Sequence, residues 1–254
     1  MKKTVKNLIT WSPSHLITSP KSAFTLAEVL ITLAIIGVVA AMTIPTLISN
    51  YKEKATVTKV KKAYSVMNEA MRLATIEHGT VDTWRLSQTT YVEDDENSKI
   101  YDDKTIAMSD RFMDYLTENL RVAKRCTYEE CGRSEAYGGK AQVFFLDGTE
   151  TRGLHISNPD CSRVVGNRND ICGDFYIGFN NGRENKEGID TFVFWITKNG
   201  LLPVGFYSDP YRNDFCLGEN KDNRKACTAW VIEYGNMDYL ECNDLQWGVK
   251  TKCD

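Results

Sequence analysis

Residues 24–49 read FTLAEVLITLAIIGVVAAMTIPTLIS, and Glu28 is their only charged residue. Most of the other side chains in this stretch are those of leucine, isoleucine, valine, alanine and threonine. A helix rises by about 1.5 Å per residue, so a stretch of this length is long enough to cross the hydrocarbon core of a bilayer. The sequence therefore predicts a transmembrane helix half over residues 24–50.

The pattern after Asn50 predicts that this helix continues as an amphipathic half over residues 51–78. Charged residues become frequent there, yet apolar side chains recur at spacings of three and four, which places them on one helical face. These side chains are Val57, Val60, Tyr64, Met67, Met71 and Ala74. No glycine or proline lies between Pro45 and Gly79. Pro45 removes one backbone hydrogen bond, so we expect a bend there rather than an end.

Residues 79–254 predict one globular domain made mainly of short antiparallel strands. Residues 190–197 alternate apolar side chains and precede the turn signal Asn199-Gly200. Residues 141–146 precede a similar signal at Asp147-Gly148.

Two further elements complete the prediction for this domain. Residues 228–234 predict another strand, and residues 109–122 predict a short helix capped by Ser109 or Asp110. The buried side of that helix is expected to comprise Phe112, Met113, Leu116 and Leu120. The fold class predicted is α+β, with a long N-terminal transmembrane and amphipathic helix packed on an antiparallel sheet.

All eight cysteines follow the helix, and none lies in the apolar stretch. They are Cys126, Cys131, Cys161, Cys172, Cys216, Cys227, Cys242 and Cys253. An even number confined to one region indicates disulfides, which persist outside the cytosol. The spacings are five residues once and eleven residues three times, and we expect sequence neighbours to pair, among about 105 possible connectivities. The C-terminal region is thus predicted to be stapled by disulfides.

The charge of the chain is unevenly distributed. Residues 1–23 contain four lysines and no acidic residue, and the remainder contains 27 basic and 34 acidic residues. Positive charge before an apolar helix marks the cytoplasmic side, which agrees with an extracytoplasmic C-terminal domain. A net charge of -3 provides no basic field for nucleic acid, so no nucleic-acid partner is expected.

Residues 21–30 read KSAFTLAEVL, and this stretch resembles the N-terminal motif of the prepilins of type IV pili and of type II secretion pseudopili. That motif has a basic leader, a small residue, Phe, Thr, Leu, any residue and Glu, followed by an apolar helix. Ala23 stands where the family usually has glycine, and Pro45 matches the proline of the family's first helix. The resemblance implies a leader over residues 1–23, cleavage by a prepilin peptidase between Ala23 and Phe24, and N-methylation of Phe24.

The resemblance also implies a function, which is that of a structural subunit and not of an enzyme. An unpaired carboxylate in an apolar helix is costly and usually functional. In the family it pairs with the N-terminal ammonium of a neighbouring subunit, so Glu28 and Pro45 are the expected assembly residues. The expected partners are other pilin or pseudopilin subunits, the prepilin peptidase, the assembly platform protein and the inner membrane. The chain is expected to cross that membrane once and to enter a filament.

Two other functions are compatible with the same sequence. An ordinary signal peptide cleaved after Val39-Ala40-Ala41, or a plain anchor, would make the chain a disulfide-rich binding module. Alternatively, the chain could be a minor pilin that binds DNA or acts as an adhesin.

No metal site and no catalytic site are expected from the sequence. Only Cys126 and Cys131 approach a zinc-ligand spacing, and His78 and His155 are expected to be surface residues. Calcium is the one cofactor kept open, because acidic residues and an asparagine cluster in the sequence without an EF-hand spacing. These are Asp209, Asp214, Glu219, Asp222 and Asn223, together with residues 94–96.

Overall fold

The computed structural model describes residues 25–93, 99–126, 143–145, 147–179, 186–220 and 222–253. The predicted leader, the cleavage residues Ala23 and Phe24, Cys131, and the acidic residues 94–96 lie outside the described residues. The chain forms two compact units, Met1–Ile48 and Ser49–Asp254. The first consists, where it is described, of one helical stretch, and the second contains the sheet.

Helix α1 spans Leu26–His78, 53 residues, and includes Pro45 within it. The predicted long helix is therefore confirmed. Among the described residues, it is the one helix with a stretch long and apolar enough to cross a membrane, and that stretch is not buried. The residues that α1 buries are Val57, Val60, Ala63, Met67, Ala70, Met71 and Ala74. These positions confirm the predicted apolar face, and Tyr64 at its edge stacks on Phe194 with ring centroids 5.5 Å apart.

Two antiparallel sheets are present among the described residues. A two-stranded sheet pairs β1 (Tyr91–Glu93) with β2 (Lys99–Tyr101). The larger, seven-stranded sheet has the order β3-β4-β5-β7-β8-β9, with β6 paired beside β7. Its strands are β3 (Lys124–Arg125), β4 (Val143–Phe144), β5 (Glu150–Ile156), β6 (Arg163–Val165), β7 (Arg168–Gly178), β8 (Thr191–Thr197) and β9 (Gly200–Pro203). The predicted α+β fold is confirmed.

The register of the central strands shows which helices cover one face of the sheet. Phe175 on β7 lies opposite Phe194 on β8, so both side chains point to one face. Tyr64 of α1 contacts Phe194 there, and Phe112 of helix α2 (Asp103–Thr117) contacts Phe175. Every residue of β8 is buried, so both faces of the sheet are covered at this strand.

Helix α2 begins six residues before the predicted helix. Asp102 is its N-cap, and the Asp102 side chain accepts a hydrogen bond from the Thr105 backbone N–H at 2.8 Å. The acidic pair at residues 102–103 suits a helix N-terminus because the backbone N–H groups there favour negative charge. The proposed caps Ser109 and Asp110 are wrong, and Ser109 is a buried residue inside the helix. Phe112, Met113 and Leu116 are buried as predicted.

The strand predicted at residues 228–234 is wrong, because Cys227–Tyr234 forms helix α3. β-Branched and aromatic residues favoured a strand, but packing overrode that preference. Cys227, Trp230, Val231 and Tyr234 stand at helical spacings, and the first three are buried. Gly235 ends the helix with φ +69°, and its N–H donates to the carbonyl of Val231, which is a glycine C-cap.

Three disulfides lie within the described residues. They join Cys161 to Cys172, Cys216 to Cys227 and Cys242 to Cys253, each across eleven residues. These are the neighbour pairs that the spacing predicts. Cys126 is also disulfide-bonded. Two of these disulfides attach loops to β7 and to the start of α3.

Candidate functional site

The start of α1 contains the residues that the prepilin motif singles out. Thr25 precedes the first helical residue, and Glu28 is the third residue of the helix. The Glu28 Oε2 atom accepts hydrogen bonds from the Thr25 backbone N–H and from the Thr25 hydroxyl, both at 2.8 Å. The Glu28 backbone N–H donates to the Thr25 hydroxyl oxygen at 3.2 Å. This reciprocal arrangement is a capping box, which satisfies N–H groups that a helix N-terminus leaves unpaired.

The capping box gives Glu28 a local role that sequence reasoning missed. A signal for it is present in the sequence, since Thr-x-x-Glu before an apolar run is the usual pattern. Only Oε2 takes part, and Glu28 Oε1 accepts no hydrogen bond from any described residue. The carboxylate is therefore held in position while one oxygen remains available to a donor from elsewhere.

The helix that follows exposes its apolar side chains in the first compact unit. Leu26 is 78% exposed and Leu47 is 70% exposed. The hydroxyls of Thr32 and Thr43 donate to the carbonyls of Val29 and Val39 within the same helix. Such internal bonds satisfy the few polar groups of this stretch without water. Pro45, the other predicted assembly residue, lies in the same helix and provides no N–H to it.

Polar contacts fasten the second half of α1 to the rest of its unit. The Glu53 carboxylate accepts a hydrogen bond from the Met237 backbone N–H at 2.7 Å, and the Asn68 side chain accepts one from Leu201 at 2.8 Å. Lys62 forms an ion pair with Asp147 at 2.8 Å.

The pKa of Asp147 reflects this ion pair. Partial burial acts to raise the pKa, but hydrogen bonds from Lys62 and Thr149 outweigh burial and lower it to about 2. The Asp147 carboxylate, at the turn before β5, is therefore charged at neutral pH.

The chain matches two known protein families. Residues 46–235 match a family described as a family of unknown function, DUF6613, and this match covers about three quarters of the chain. The chain belongs to DUF6613. Residues 18–44 match the prokaryotic N-terminal methylation motif. The motif and the long apolar helix after it fit a type IV pilin-like protein, as the sequence resemblance predicts. No curated protein and no solved structure matches this chain.

Both histidines of the described part of this DUF6613 protein are partly exposed at the surface, and each lies beside a carboxylate. His78 Nε2 lies 2.6 Å from Glu118 Oε2. His155 Nδ1 lies 3.0 Å from Asp174 Oδ1, and the other Asp174 oxygen accepts a hydrogen bond from Tyr176. Burial, reinforced by the charge of Asp174, raises the pKa of Tyr176 far above its usual range, so its hydroxyl stays protonated and donates.

Asp209, one of the residues considered as calcium ligands, forms hydrogen bonds inside the protein. Asp209 is 4% exposed, and its carboxylate accepts hydrogen bonds from Trp195 Nε1, Gly205 N and Tyr211 N, each at 2.9 Å. Its oxygens are therefore engaged inside the protein. Among the described residues, the one group of three His, Cys, Asp or Glu side chains with ligand atoms within 4.8 Å of one another is Glu77, His78 and Glu118.

Sequence reasoning missed this group because Glu118 lies 40 residues beyond His78. No local spacing links the two positions, and the helix packing alone brings them together. The same holds for Asp209 and Trp195, which are 14 residues apart. The sequence shows Glu77 beside His78 at the predicted helix end, but it does not indicate that Glu118 joins them.

Proposed function

We propose that this DUF6613 protein is a non-enzymatic subunit of an envelope filament, either a type IV pilus or the short pseudopilus of a type II secretion system. A prepilin peptidase removes residues 1–23 and methylates Phe24. The chain crosses the inner membrane once through residues 24–50, and its sheet domain lies outside the cytoplasm. An assembly platform protein then moves the subunit into the filament, where the apolar helices of many copies pack together.

The observation that supports this proposal is the first half of α1. It exposes its large apolar side chains and carries a single carboxylate, which its own capping box holds in place. A water-soluble module gains nothing from such a surface, since about 25 cal/mol is lost for each Å² of apolar area left in water. A lipid bilayer and a filament core both cover it. The disulfides support the proposed position of the sheet domain outside the cytoplasm, because disulfides form outside the cytosol.

Glu28 has a specific place in this function. Cleavage after Ala23 creates an ammonium group on Phe24, one residue before the capping box. The ammonium of a neighbouring subunit pairs with Glu28 Oε1, while Oε2 remains bound to Thr25. An unpaired carboxylate within a bilayer costs about 2.5 to 3.5 kcal/mol on insertion scales, so pairing drives the subunits into one register.

The first experiment measures the N-terminus. The chain is expressed in a host with and without a prepilin peptidase, and the product is analysed by N-terminal sequencing and mass spectrometry. We expect N-methylated Phe24 only where the peptidase is present. A new N-terminus at Met42 would instead identify an ordinary signal peptide and refute the proposal. An intact chain in both hosts would refute it as well.

The second experiment separates the charge of Glu28 from its capping function. Glu28→Gln keeps a side-chain acceptor for Thr25 but removes the charge, whereas Thr25→Ala removes the cap and keeps the charge. Subunit contacts are measured by chemical cross-linking of intact cells, which detects both a pilus and a pseudopilus. Cross-linked subunits give a series of bands of increasing size on a denaturing gel. We expect Glu28→Gln to abolish these bands and Thr25→Ala to retain most of them. Equal loss in both variants would show that Glu28 acts only as a helix cap.

A further inference from the structure

The C-terminal ends of α1 and α2 meet at a group of three side chains. Glu77 and His78 are the last two residues of α1, and Glu118 caps the end of α2. One ligand atom from each side chain lies within 4.8 Å of the other two. Glu77 and Glu118 are exposed and His78 is half-buried, so the group faces solvent and is accessible to an ion.

Packing fixes the orientation of the histidine. The His78 ring stacks on Tyr115, with ring centroids 4.0 Å apart and an angle of 10° between the planes. The rings of Tyr115 and Trp84 are nearly perpendicular, with centroids 5.2 Å apart. The Trp84 indole donates a hydrogen bond to the carbonyl of Gly79 at 2.8 Å. The imidazole therefore belongs to a supported aromatic stack, and its Nε2 atom is directed toward Glu118.

A polar contact also orients the first carboxylate. The Asn119 side chain donates a hydrogen bond to Glu77 Oε2 at 3.2 Å. Outer contacts of this kind hold ligands in place at metal sites. Among the described residues, no lysine or arginine forms an ion pair with Glu77 or Glu118, so neither carboxylate is neutralised by a lysine or an arginine.

The local field favours a cation. The ends of both helices carry the partial negative charge of their last carbonyl groups, and this charge adds to that of two carboxylates. One imidazole nitrogen with two carboxylate oxygens is a ligand set suited to a divalent transition metal such as zinc. Calcium takes six to eight oxygen ligands, so a site that includes histidine does not suit it.

We propose that Glu77, His78 and Glu118 bind one Zn²⁺ ion, with water as the fourth ligand. Zinc–ligand bonds of about 2.0–2.2 Å in a tetrahedron separate neighbouring ligand atoms by about 3.4 Å. His78 Nε2 and Glu118 Oε2 are 2.6 Å apart, and all three ligand atoms lie within 4.8 Å of one another, so shifts of about 1 Å in the two exposed glutamate side chains admit the ion. The ion joins the C-terminal end of α1 to the C-terminal end of α2. This inference does not depend on the proposed filament function.

The chain offers a matched control for the test. His155 and Asp174 form a second histidine–carboxylate pair at 3.0 Å, but they belong to no group of three ligands among the described residues. The full chain, without a histidine tag, is purified in detergent and stripped with EDTA. A His15→Asn background leaves His78 and His155 as the only histidines. Zn²⁺ is titrated by calorimetry, and Co²⁺ is added as a spectroscopic probe of ligand geometry.

We expect one Zn²⁺ per chain, a tetrahedral Co²⁺ spectrum and a higher thermal unfolding midpoint with Zn²⁺. His78→Asn and Glu118→Gln are expected to weaken Zn²⁺ binding at least about tenfold, and His155→Asn to leave it unchanged. Near-UV circular dichroism without metal checks that each variant is folded, and Glu77→Gln, at an exposed position of the group, provides an independent ligand variant. The proposal is overturned if the wild-type chain has no saturable site, or if His78→Asn and Glu77→Gln both bind Zn²⁺ as the wild type does.

Discussion

Replacing Asp209 by asparagine is expected to destabilise the sheet domain without any involvement of calcium. The carboxylate is buried and receives three hydrogen bonds, two at Oδ2 and one at Oδ1. An asparagine whose oxygen occupies the Oδ2 position keeps the bonds from Trp195 and Gly205. Its NH₂ group then faces the N–H of Tyr211, so a donor meets a donor.

The size of the effect follows from these contacts. A hydrogen bond to a charged group contributes about 1.5 to 3 kcal/mol, and a buried donor left without an acceptor costs about 1 to 3 kcal/mol. Asp209→Asn loses one such bond and weakens two, so we expect a loss of about 2 to 3 kcal/mol in the free energy of unfolding. In a domain of this size, each kcal/mol lowers the unfolding midpoint by about 2 to 4 °C, which gives a drop of roughly 4 to 12 °C.

The assay is thermal unfolding of the full chain in detergent, followed by near-UV circular dichroism with calcium and again with EDTA. Asp222→Asn is the control, because Asp222 is exposed and surface changes usually alter stability by less than about 0.5 kcal/mol. A midpoint for Asp209→Asn within about 1 °C of wild type would refute the reasoning from the three hydrogen bonds. A difference that appears only with calcium would show that Asp209 acts as a calcium ligand instead.

Three further changes test other parts of the domain. Replacing Cys161 and Cys172 together by serine removes an eleven-residue loop closure and is expected to cost about 3 kcal/mol, measured as the midpoint of guanidinium unfolding. Asn68→Ala leaves the backbone N–H of Leu201 without its acceptor and is expected to cost about 1 to 2 kcal/mol in the same assay. Asp147→Asn tests pH dependence, because the pKa of Asp147 is lowered from 3.8 to about 2. A lowered pKa stabilises the fold above the unfolded value, so the wild type should exceed the variant in stability above about pH 4, and the difference should vanish as the pH falls through about 2.

The long helix and the hairpin of β8 and β9 could be predicted because their signals are local. The apolar run, the three-and-four spacing after Asn50 and the alternation before Asn199-Gly200 each lie within one element. Packing against the sheet then agrees with the local preference, so the apolar residues that share one face of α1, from Val57 to Ala74, are buried there, with Tyr64 at the edge of that face.

Helix α3 shows the opposite case. Its residues prefer strands individually, but Cys227, Trp230 and Val231 reach the core only when the segment is helical. The spacing of these apolar residues and the glycine at 235 were the available signals. Residue preference predicts a strand here and the spacing of the apolar residues predicts a helix, and tertiary packing decides such short segments.

The candidate sites differ in the same way, because one is formed by neighbours in sequence and the other by residues far apart in sequence. The Thr25–Glu28 contact is three residues long and readable as a capping box, whereas the Glu77, His78 and Glu118 group joins two helix ends that are far apart in sequence. A single sequence carries no local pattern that indicates such a pairing. Only the packing of α1 and α2 on one face of the sheet brings the three side chains together.

The two halves of α1 obtain their stability from different sources, and this difference makes the function testable. The second half buries its apolar face in its own unit, while the first half leaves large side chains exposed. Changes at Thr25 or Glu28 therefore affect insertion and assembly, and the unfolding of residues 49–254 should be insensitive to them. A filament defect in Glu28→Gln together with an unchanged unfolding midpoint is then a defect of assembly. A lowered midpoint in that variant would contradict the separation, since the hydrogen bonds of Glu28 are made to Thr25 at the start of the same helix.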